Sequence, residues 1–209
     1  MKERILETHA CISQGADWLA ANEPRFAQAL TRTGPLPLRR RKDGFAALLD
    51  AIVSQQISVA AATAIWGRME AAGLTGPRKI RACSDDQLRR CGLSGQKIRY
   101  ARALATAGIR YPDLRDMSSD AVVARLTEVP GIGPWTAQIY VMFSLGRADV
   151  FAPGDLALQE AARLLFDLDG RPTERKMHDM ALAWSPWRGV AARLLWAYYR
   201  VEKEREGTR

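Results

Sequence analysis

The stretch that decides the fold is Leu126-Thr-Glu-Val-Pro-Gly-Ile-Gly-Pro-Trp-Thr-Ala137. The glycines of Pro130-Gly131-Ile132-Gly133 allow positive φ and close backbone approach, so this tetrapeptide predicts a tight turn. An apolar helical pattern precedes the turn, and Pro134 fits the first position of a helix that ends near Leu145. Residues 119–145 are therefore predicted to form two helices joined by a short turn, which is a helical hairpin.

The start of the second hairpin helix predicts an anion site. The first amides of a helix have no intrahelical acceptor, and the helix dipole places positive potential there. A nucleic-acid phosphate is the natural anion, and such a contact positions a protein without reading the base sequence. Glycine-rich turns between helices are common, so the tetrapeptide alone leaves a purely structural turn open.

The rest of the chain is helical in pattern almost throughout. Phe45–Val53 and Val59–Met69 are apolar helical segments separated by Ser54-Gln55-Gln56-Ile57-Ser58. Ser84 and Gln87 form a capping-box pattern. No alternating pattern longer than about four residues predicts a strand. We therefore predict an all-α protein of about ten short helices, with further starts at Pro24, Ser118 or Ser119, and Thr173.

Composition narrows the function classes. The 209 residues suffice for one compact domain or two small lobes. The net charge of +8 favours a polyanionic partner. Three cysteines and two histidines argue against a disulfide framework and a His-rich metal centre. No stretch approaches the ~18 apolar residues of a membrane span, and residues 1–11 lack the apolar region of a signal peptide. We expect a soluble cytoplasmic protein, associated with the nucleoid if it is bacterial.

Four segments share their order and spacing with one known family. They are the hairpin ending in Trp135-Thr136-Ala137, the stretch Ile52–Ser58, Gly92-Leu93-Ser94 followed by Lys97, and Asp149–Asp155 followed by Trp184-Ser185-Pro186-Trp187-Arg188. Together they resemble the HhH-GPD (helix-hairpin-helix) superfamily of DNA glycosylases, in its DNA-3-methyladenine glycosylase II (AlkA-like) branch. The resemblance covers roughly residues 20 to 200.

The resemblance implies a two-lobed all-α fold with the active-site cleft between the lobes. Lobe A would comprise approximately residues 1–43 and 146–209, and lobe B approximately residues 44–145, including the hairpin. Larger AlkA-like proteins carry an additional N-terminal α/β domain, and we expect this chain to be the catalytic core alone.

By resemblance, Asp155 is the catalytic group. Breaking an N-glycosidic bond builds positive charge on the sugar, as in the oxocarbenium-like transition states of glycoside hydrolysis. A preorganised carboxylate stabilises that charge and can orient or deprotonate the attacking water. The alternative is that Asp155 is only a helix N-cap, which is the usual role of an isolated Asp after Gly.

The residue after Pro134 separates two reaction types. Bifunctional members of the family place a Lys at or beside this position, where it attacks the sugar and forms a Schiff base. This chain has Trp135 there, and no Lys lies between Leu126 and Asp155. The resemblance therefore implies a monofunctional enzyme that uses water and lacks lyase activity. The four closely spaced cysteines of the iron–sulfur branch are missing, so no cofactor is expected to be required.

Substrate choice should follow from the aromatic residues. A target base must leave the stack to be read, and a purine alkylated at N3 or N7 carries a positive charge that suits stacking on electron-rich rings. By resemblance, Trp135 and Trp184 line the base pocket. Ile139 replaces a second aromatic residue of some relatives. The helical spacing predicts that the other tryptophans, Trp18, Trp66 and Trp196, lie in the core. Trp187 is expected to pack near the pocket.

Several residues are implied to contact DNA. Gln56 matches the position that fills the gap left by the flipped base, with Gln55 beside it, although a polar turn between helices stays open. The resemblance assigns backbone contacts to Gly131, Gly133, Trp135, Thr136 and Lys97. Arg39–Lys42 is either a phosphate contact or a solvated face. The main-chain carbonyls of Thr127, Val129 and Ile132 are implied to hold a structural Na⁺ or K⁺.

The leading hypothesis is a monomeric DNA glycosylase that flips out alkylated purines of double-stranded DNA and removes them by hydrolysis, which starts base-excision repair. Its chief substrate would be 3-methyladenine, with 7-methylguanine as a second candidate. Two alternatives stay open: a glycosylase for a deaminated, mismatched or oxidised base, and a non-catalytic helix-hairpin-helix DNA-binding module.

Overall fold

The computed structural model describes residues 3–206, which fold into twelve α-helices and one 3-10 turn at Asp113–Arg115. The described residues contain no β-strand, only an isolated bridge between Ile5 and Arg147. No helix in this range is long and apolar enough to cross a membrane. The helices are α1 (His9–Asn22), α2 (Pro24–Thr33), α3 (Phe45–Ser54), α4 (Val59–Ala71), α5 (Pro77–Ala82), α6 (Asp85–Cys91), α7 (Gly95–Thr106), α8 (Ser119–Thr127), α9 (Pro134–Phe143), α10 (Leu156–Leu165), α11 (Glu174–Leu182) and α12 (Arg188–Glu206).

The all-α prediction is confirmed, with twelve helices instead of about ten. The predicted starts at Pro24, Ser118 and Thr173 are correct. Ser84 and Gln87 form the predicted reciprocal cap, in which each side chain accepts from the backbone amide of the other residue. Sequence analysis missed the six-residue helix α5, which is too short to show an apolar period.

The chain divides into two compact units, one formed by residues up to Arg40 and from Val141 onward, the other by Arg41–Tyr140. These boundaries lie a few residues before the expected ones at 43 and 145, and the second of them falls inside α9.

In the first unit, α12 packs against α1, α2 and α10. Gly15 of α1 allows close packing, since a Cβ there would lie 2.7 Å from both Trp187 and Val190. The guanidinium of Arg193 is buried in this unit and donates to the carbonyls of Gly189 at 2.6 Å and Leu38 at 3.2 Å. Burial, with Arg39 and Arg40 nearby, lowers the pKa of Arg193 to about 10.

In the second unit, α3 packs against α4 and α7, and α7 also packs against α5. The core contains the fully buried side chains of Leu48, Ile52 and Leu88. Tyr140, at the end of this unit, accepts the amide of Gly44 at 2.9 Å and so fixes the start of α3. Helix α7 lies beside the C-terminal end of α3, where the Gln55-Gln56 loop begins, since Lys97 of α7 donates to the Val53 carbonyl.

Candidate functional site

The hairpin turn in the second unit gives its two glycines different roles. Gly131 has φ +94°, and a Cβ there would lie 2.3 Å from Cγ of Tyr100. Gly133 is exposed, has no positive φ, and a Cβ there would have no neighbour within 4 Å. The fold therefore requires glycine at 131 but not at 133. The prediction that both glycines serve the turn conformation is correct only for Gly131.

The helix after the turn begins at Pro134, and the amide of Ala137 closes its first turn on the Gly133 carbonyl at 3.1 Å. Trp135 is 46% exposed at this N-terminus. Ile139 follows one turn later on the same side of the helix and is half-buried. Thr136 is only 6% exposed, so its predicted DNA contact would be made by the main chain and not by the side chain. Only its main-chain amide, at the helix start, remains a candidate contact.

The loop between α3 and α4, residues 54–58, carries the two predicted wedge glutamines. Gln55 is half-buried, and its Nε2 donates to the Gly131 carbonyl at 2.9 Å. Gln56 is exposed and has φ +57°. Ser58 then caps α4 by accepting the amide of Ala61 at 3.2 Å. Gln55 therefore ties the loop to the hairpin, whereas the Gln56 side chain is exposed, and the DNA contacts of both residues stay predictions.

Lys97 was also predicted to contact DNA, but the structure gives it an internal partner. Its Nζ donates to the Val53 carbonyl in the last turn of α3 at 2.6 Å. Partial burial lowers the pKa of Lys97. A cation at a helix C-terminus is favoured by the helix dipole and satisfies a carbonyl that lacks an intrahelical donor. Lys97 therefore stabilises the end of α3, and its contact with DNA stays a prediction.

The loop, the turn before α7 and the hairpin border one cavity of about 560 Å³. Thr127, Val129 and Ile132 line it, and the Val129 carbonyl accepts the amide of Ile132 at 3.0 Å. A carbonyl oxygen has two lone pairs, so this bond is compatible with a second ligand at Val129. The monovalent ion at these three carbonyls stays a prediction.

The positive φ of Gln56 has a measurable consequence. A side chain at left-handed φ costs about 1–2 kcal/mol, and glycine avoids this cost. Gln56→Gly is therefore expected to raise the free energy of unfolding by about 1 kcal/mol, whereas Gln56→Ala leaves it unchanged within about 0.5 kcal/mol. Urea denaturation followed by circular dichroism measures both. Equal stability of the two variants would contradict strain at this position.

Asp155 lies in the first unit at the N-cap of α10. Its Oδ1 accepts the amides of Ala157 at 2.9 Å and Leu158 at 3.0 Å. The same oxygen accepts Nε1 of Trp196 at 3.2 Å. Asp155 is therefore an N-cap, as its sequence position suggested, and in addition a carboxylate held by a tryptophan from another helix.

Sequence analysis placed Trp196 in the core, yet it contacts the predicted catalytic carboxylate. Its ring lies on Phe143, with centroids 5.7 Å apart and planes inclined by 31°. The Arg193 guanidinium lies 4.6 Å from the centroid of the same Phe143 ring. No local signal distinguishes Trp196, because the buried Leu194 and Leu195 continue the same apolar pattern.

Trp184 was predicted to line the base pocket, and its position contradicts this. It is only 4% exposed. Its ring lies between 5.2 and 5.9 Å, centroid to centroid, from the rings of Phe26, Phe151 and Phe166. A ring enclosed in this way has no face left for a base, so Trp184 is a core residue. Trp196, in the same unit, is instead bonded to Asp155.

The loop that leads to Asp155 is fixed by Asp149 and Arg188. Arg188 donates Nε to Oδ1 of Asp149 at 2.8 Å and Nη2 to Oδ2 at 3.0 Å, and the Ser185 hydroxyl donates to Oδ2 at 2.8 Å. Burial alone would raise the pKa of Asp149, but the bonds from Arg188 and Ser185 outweigh it and lower that pKa. Ser185 and Arg188 of the Trp184–Arg188 motif therefore hold the loop through Asp149.

Asp149→Asn is expected to lower the free energy of unfolding at pH 7 by about 1–3 kcal/mol, because it removes a charged hydrogen-bonded pair. The folded-state pKa is lowered, so the stabilisation is fully present above the ordinary pKa of about 3.8 and is lost as the pH falls through the folded value. Thermal denaturation between pH 7 and pH 3 measures this. An equal difference from the wild type at both ends of that range would contradict the ion pair.

Comparison with known proteins identifies the family. Residues 49–188 match the model of the HhH-GPD superfamily of base excision DNA repair proteins, and this range includes the hairpin and Asp155. The chain belongs to the HhH-GPD superfamily. Within it, the chain is 30% identical to DNA-3-methyladenine glycosylase 1 of Schizosaccharomyces pombe over 204 residues, which are 93% of this chain and 90% of that relative.

Two solved structures share the fold closely. The DNA-3-methyladenine glycosidase of Bacillus halodurans matches with a TM-score of 0.81 and 31% identity, over 98% of this chain and 95% of that one. A 3-methyladenine DNA glycosylase of Schizosaccharomyces pombe, solved in complex with abasic DNA, matches with a TM-score of 0.78 and 28% identity, over 88% and 95%. The predicted family and fold are therefore confirmed.

Proposed function

We propose that this protein is a monofunctional DNA glycosylase that removes alkylated purines, chiefly 3-methyladenine, from double-stranded DNA. The observation that carries the proposal is the Asp155 carboxylate, held at a helix N-terminus by two amides and the Trp196 indole. The names of three relatives support the substrate class, since these proteins are 28–31% identical over at least 88% of this chain and are called 3-methyladenine glycosylases or glycosidases.

The chemistry follows from the fixed position of the carboxylate. As the bond between sugar and base breaks, positive charge develops on the sugar, and a preorganised anion stabilises it without reorganisation. The bonds to Oδ1 fix the orientation of Asp155 before substrate arrives. A purine that is already positively charged by alkylation is a good leaving group, so little general-acid assistance to the base is needed. The remaining step is attack by water, which the carboxylate orients or deprotonates.

Lack of lyase activity is part of the proposal. Trp135 stands where bifunctional relatives have an attacking Lys, and the segment from Leu126 to Asp155 contains no Lys. An amine is needed to form a Schiff base with the opened sugar. Borohydride treatment during turnover is therefore expected to trap no covalent complex between the protein and damaged DNA. Appearance of such a complex would contradict the monofunctional assignment.

DNA binding is proposed to use the exposed hairpin and the exposed Gln56. The amides at the start of α9 would receive a backbone phosphate. Gln56 would enter the gap left by the flipped base, where its amide can bond to the orphaned partner base. The basic run Arg39–Lys42 is exposed along its length and adds positive charge. Affinity is accordingly expected to fall as the salt concentration rises.

One experiment tests the proposed function directly. Genomic DNA is treated with a methylating agent and incubated with the protein, and the released bases are separated by chromatography. Release of 3-methyladenine at a rate well above the spontaneous rate supports the proposal. Release from oxidised or deaminated substrates instead would assign another lesion, and binding without release of any base would indicate a non-catalytic DNA-binding module.

A further inference from the structure

We propose that Gln55 and Lys97 are positioning residues. They hold the wedge loop, residues 54–58, and the hairpin turn, residues 128–133, in a fixed relative position for binding DNA. The inference rests on the proposed function, because it concerns how the proposed wedge and the phosphate-binding turn act together. Neither residue is assigned a contact with DNA. Both act by fixing where Gln56 stands relative to the start of α9.

The first link joins the wedge loop directly to the hairpin. The Gln55 side chain is half-buried, and its Nε2 donates to the Gly131 carbonyl at 2.9 Å. Gly131 is itself fixed, since its φ of +94° and its contact with Tyr100 permit no side chain there. The acceptor is therefore a carbonyl whose position is set by the fold. A bond to it restrains the backbone of Gln55, the neighbour of Gln56.

The second link passes through α7, which supports both segments. Near its N-terminus, Lys97 donates to the Val53 carbonyl at 2.6 Å and holds the end of α3. One turn later on the same side of the helix, the Tyr100 ring lies against Gly131. The Tyr100 hydroxyl accepts Nε2 of Gln96 at 2.7 Å, which fixes the ring. One helix thus holds the base of the wedge loop and the apex of the hairpin turn.

A fixed spacing between these two segments has a consequence for recognition. The start of α9 would hold one phosphate, while the side chain at 56 enters the duplex at a set distance from it. Preorganisation of both groups removes the entropy cost of ordering them when DNA binds. If the loop moved independently, the wedge would bind less well even with its side chain intact. The contribution of Gln56 should therefore depend on Gln55.

A double-mutant cycle tests this dependence. The variants are Gln55→Met, which keeps the side-chain length but removes the amide donor, Gln56→Ala, and the two combined. The dissociation constant for a duplex containing a tetrahydrofuran abasic site is measured for each. Gln56→Ala is expected to weaken binding about tenfold in the wild-type background but less than about threefold in the Gln55→Met background. If the fold-changes in dissociation constant of the two single variants simply multiply in the double variant, the proposal is overturned. Independent direct contacts of Gln55 and Gln56 with DNA would give that result.

Two further variants separate positioning from general stability. In the Lys97→Met background, Gln56→Ala is expected to weaken binding to abasic DNA by less than about threefold. In the Lys97→Arg background the full effect is expected, because Arg keeps the cationic donor. Gln28→Met, at an exposed position of α2 in the other unit, is the matched control, and the effect of Gln56→Ala on the dissociation constant should be the same in this background as in the wild type. Thermal denaturation of every variant confirms that each is folded at the assay temperature. Failure of Lys97→Arg to restore the effect would count against the role of Lys97.

The proposed function and the positioning role of Gln55 and Lys97 are overturned by different results. If the wild type releases no base from methylated DNA, the proposed function is wrong. If the wild type releases base and binds abasic DNA, but the cycle is additive, the proposed function stands and only the positioning role is overturned.

Discussion

Asp155→Asn is expected to slow base release from methylated DNA by about 10²–10³-fold, as removal of one preorganised electrostatic group does in other enzymes. The neutral amide no longer stabilises positive charge on the sugar and cannot deprotonate water. Its carbonyl oxygen can still accept the amides of Ala157 and Leu158, so the cap of α10 is preserved. Single-turnover measurement of 3-methyladenine release gives the rate.

The same variant should retain its affinity for abasic DNA within about threefold, since a loss restricted to the transition state leaves ground-state binding intact. Asp169→Asn, at an exposed position of the same unit, is the matched control and should release base at the wild-type rate. Near-normal release by Asp155→Asn would reduce Asp155 to its capping role and defeat the catalytic assignment.

Gly131→Ala is expected to lower the free energy of unfolding by about 2–5 kcal/mol, the largest stability effect that we predict. Two costs add: the left-handed φ of +94°, and the overlap of the new Cβ with the Tyr100 ring at 2.3 Å. Urea denaturation measures the loss. Tyr100→Ala in the same chain should recover only the part caused by overlap with the ring, because the Cβ of residue 100 would still lie 2.7 Å from the new methyl group. No recovery relative to Tyr100→Ala alone would show that overlap with the ring does not contribute.

Gly133→Ala is the matched variant with the opposite expected behaviour. Its Cβ meets nothing within 4 Å and its φ is not positive, so stability should change by less than about 0.5 kcal/mol. The added methyl group would instead keep a DNA phosphate away from the amides of α9. The lost charge-assisted hydrogen bonds are worth about 1.5–3 kcal/mol, which is at least about tenfold in affinity for abasic DNA. Unchanged affinity would remove the hairpin from the proposed DNA interface.

Two tryptophans show which information helical spacing lacks. Trp184 and Trp196 both lie among apolar residues, and the sequence pattern assigned Trp184 to the base pocket and Trp196, which is bonded to Asp155, to the core. Helical spacing reports that a residue lies on an apolar face. It does not report which other helix covers that face. Three phenylalanines from separate segments enclose Trp184, whereas α12 carries the Trp196 indole to the N-terminus of α10.

The sequence by itself determined the helical class, the hairpin, the caps of α6, α8 and α11, and the position of Asp155 at a helix start. These features depend on local backbone preferences and on hydrogen bonds between residues a few positions apart. Only the tertiary structure decided the roles of Gln55, Lys97, Thr136 and the two tryptophans. Gln55 and Lys97 bond to carbonyls 76 and 44 positions away, and such partners are set by how the helices pack. Local sequence determines which residues can donate a hydrogen bond, but helix packing determines which acceptors they contact.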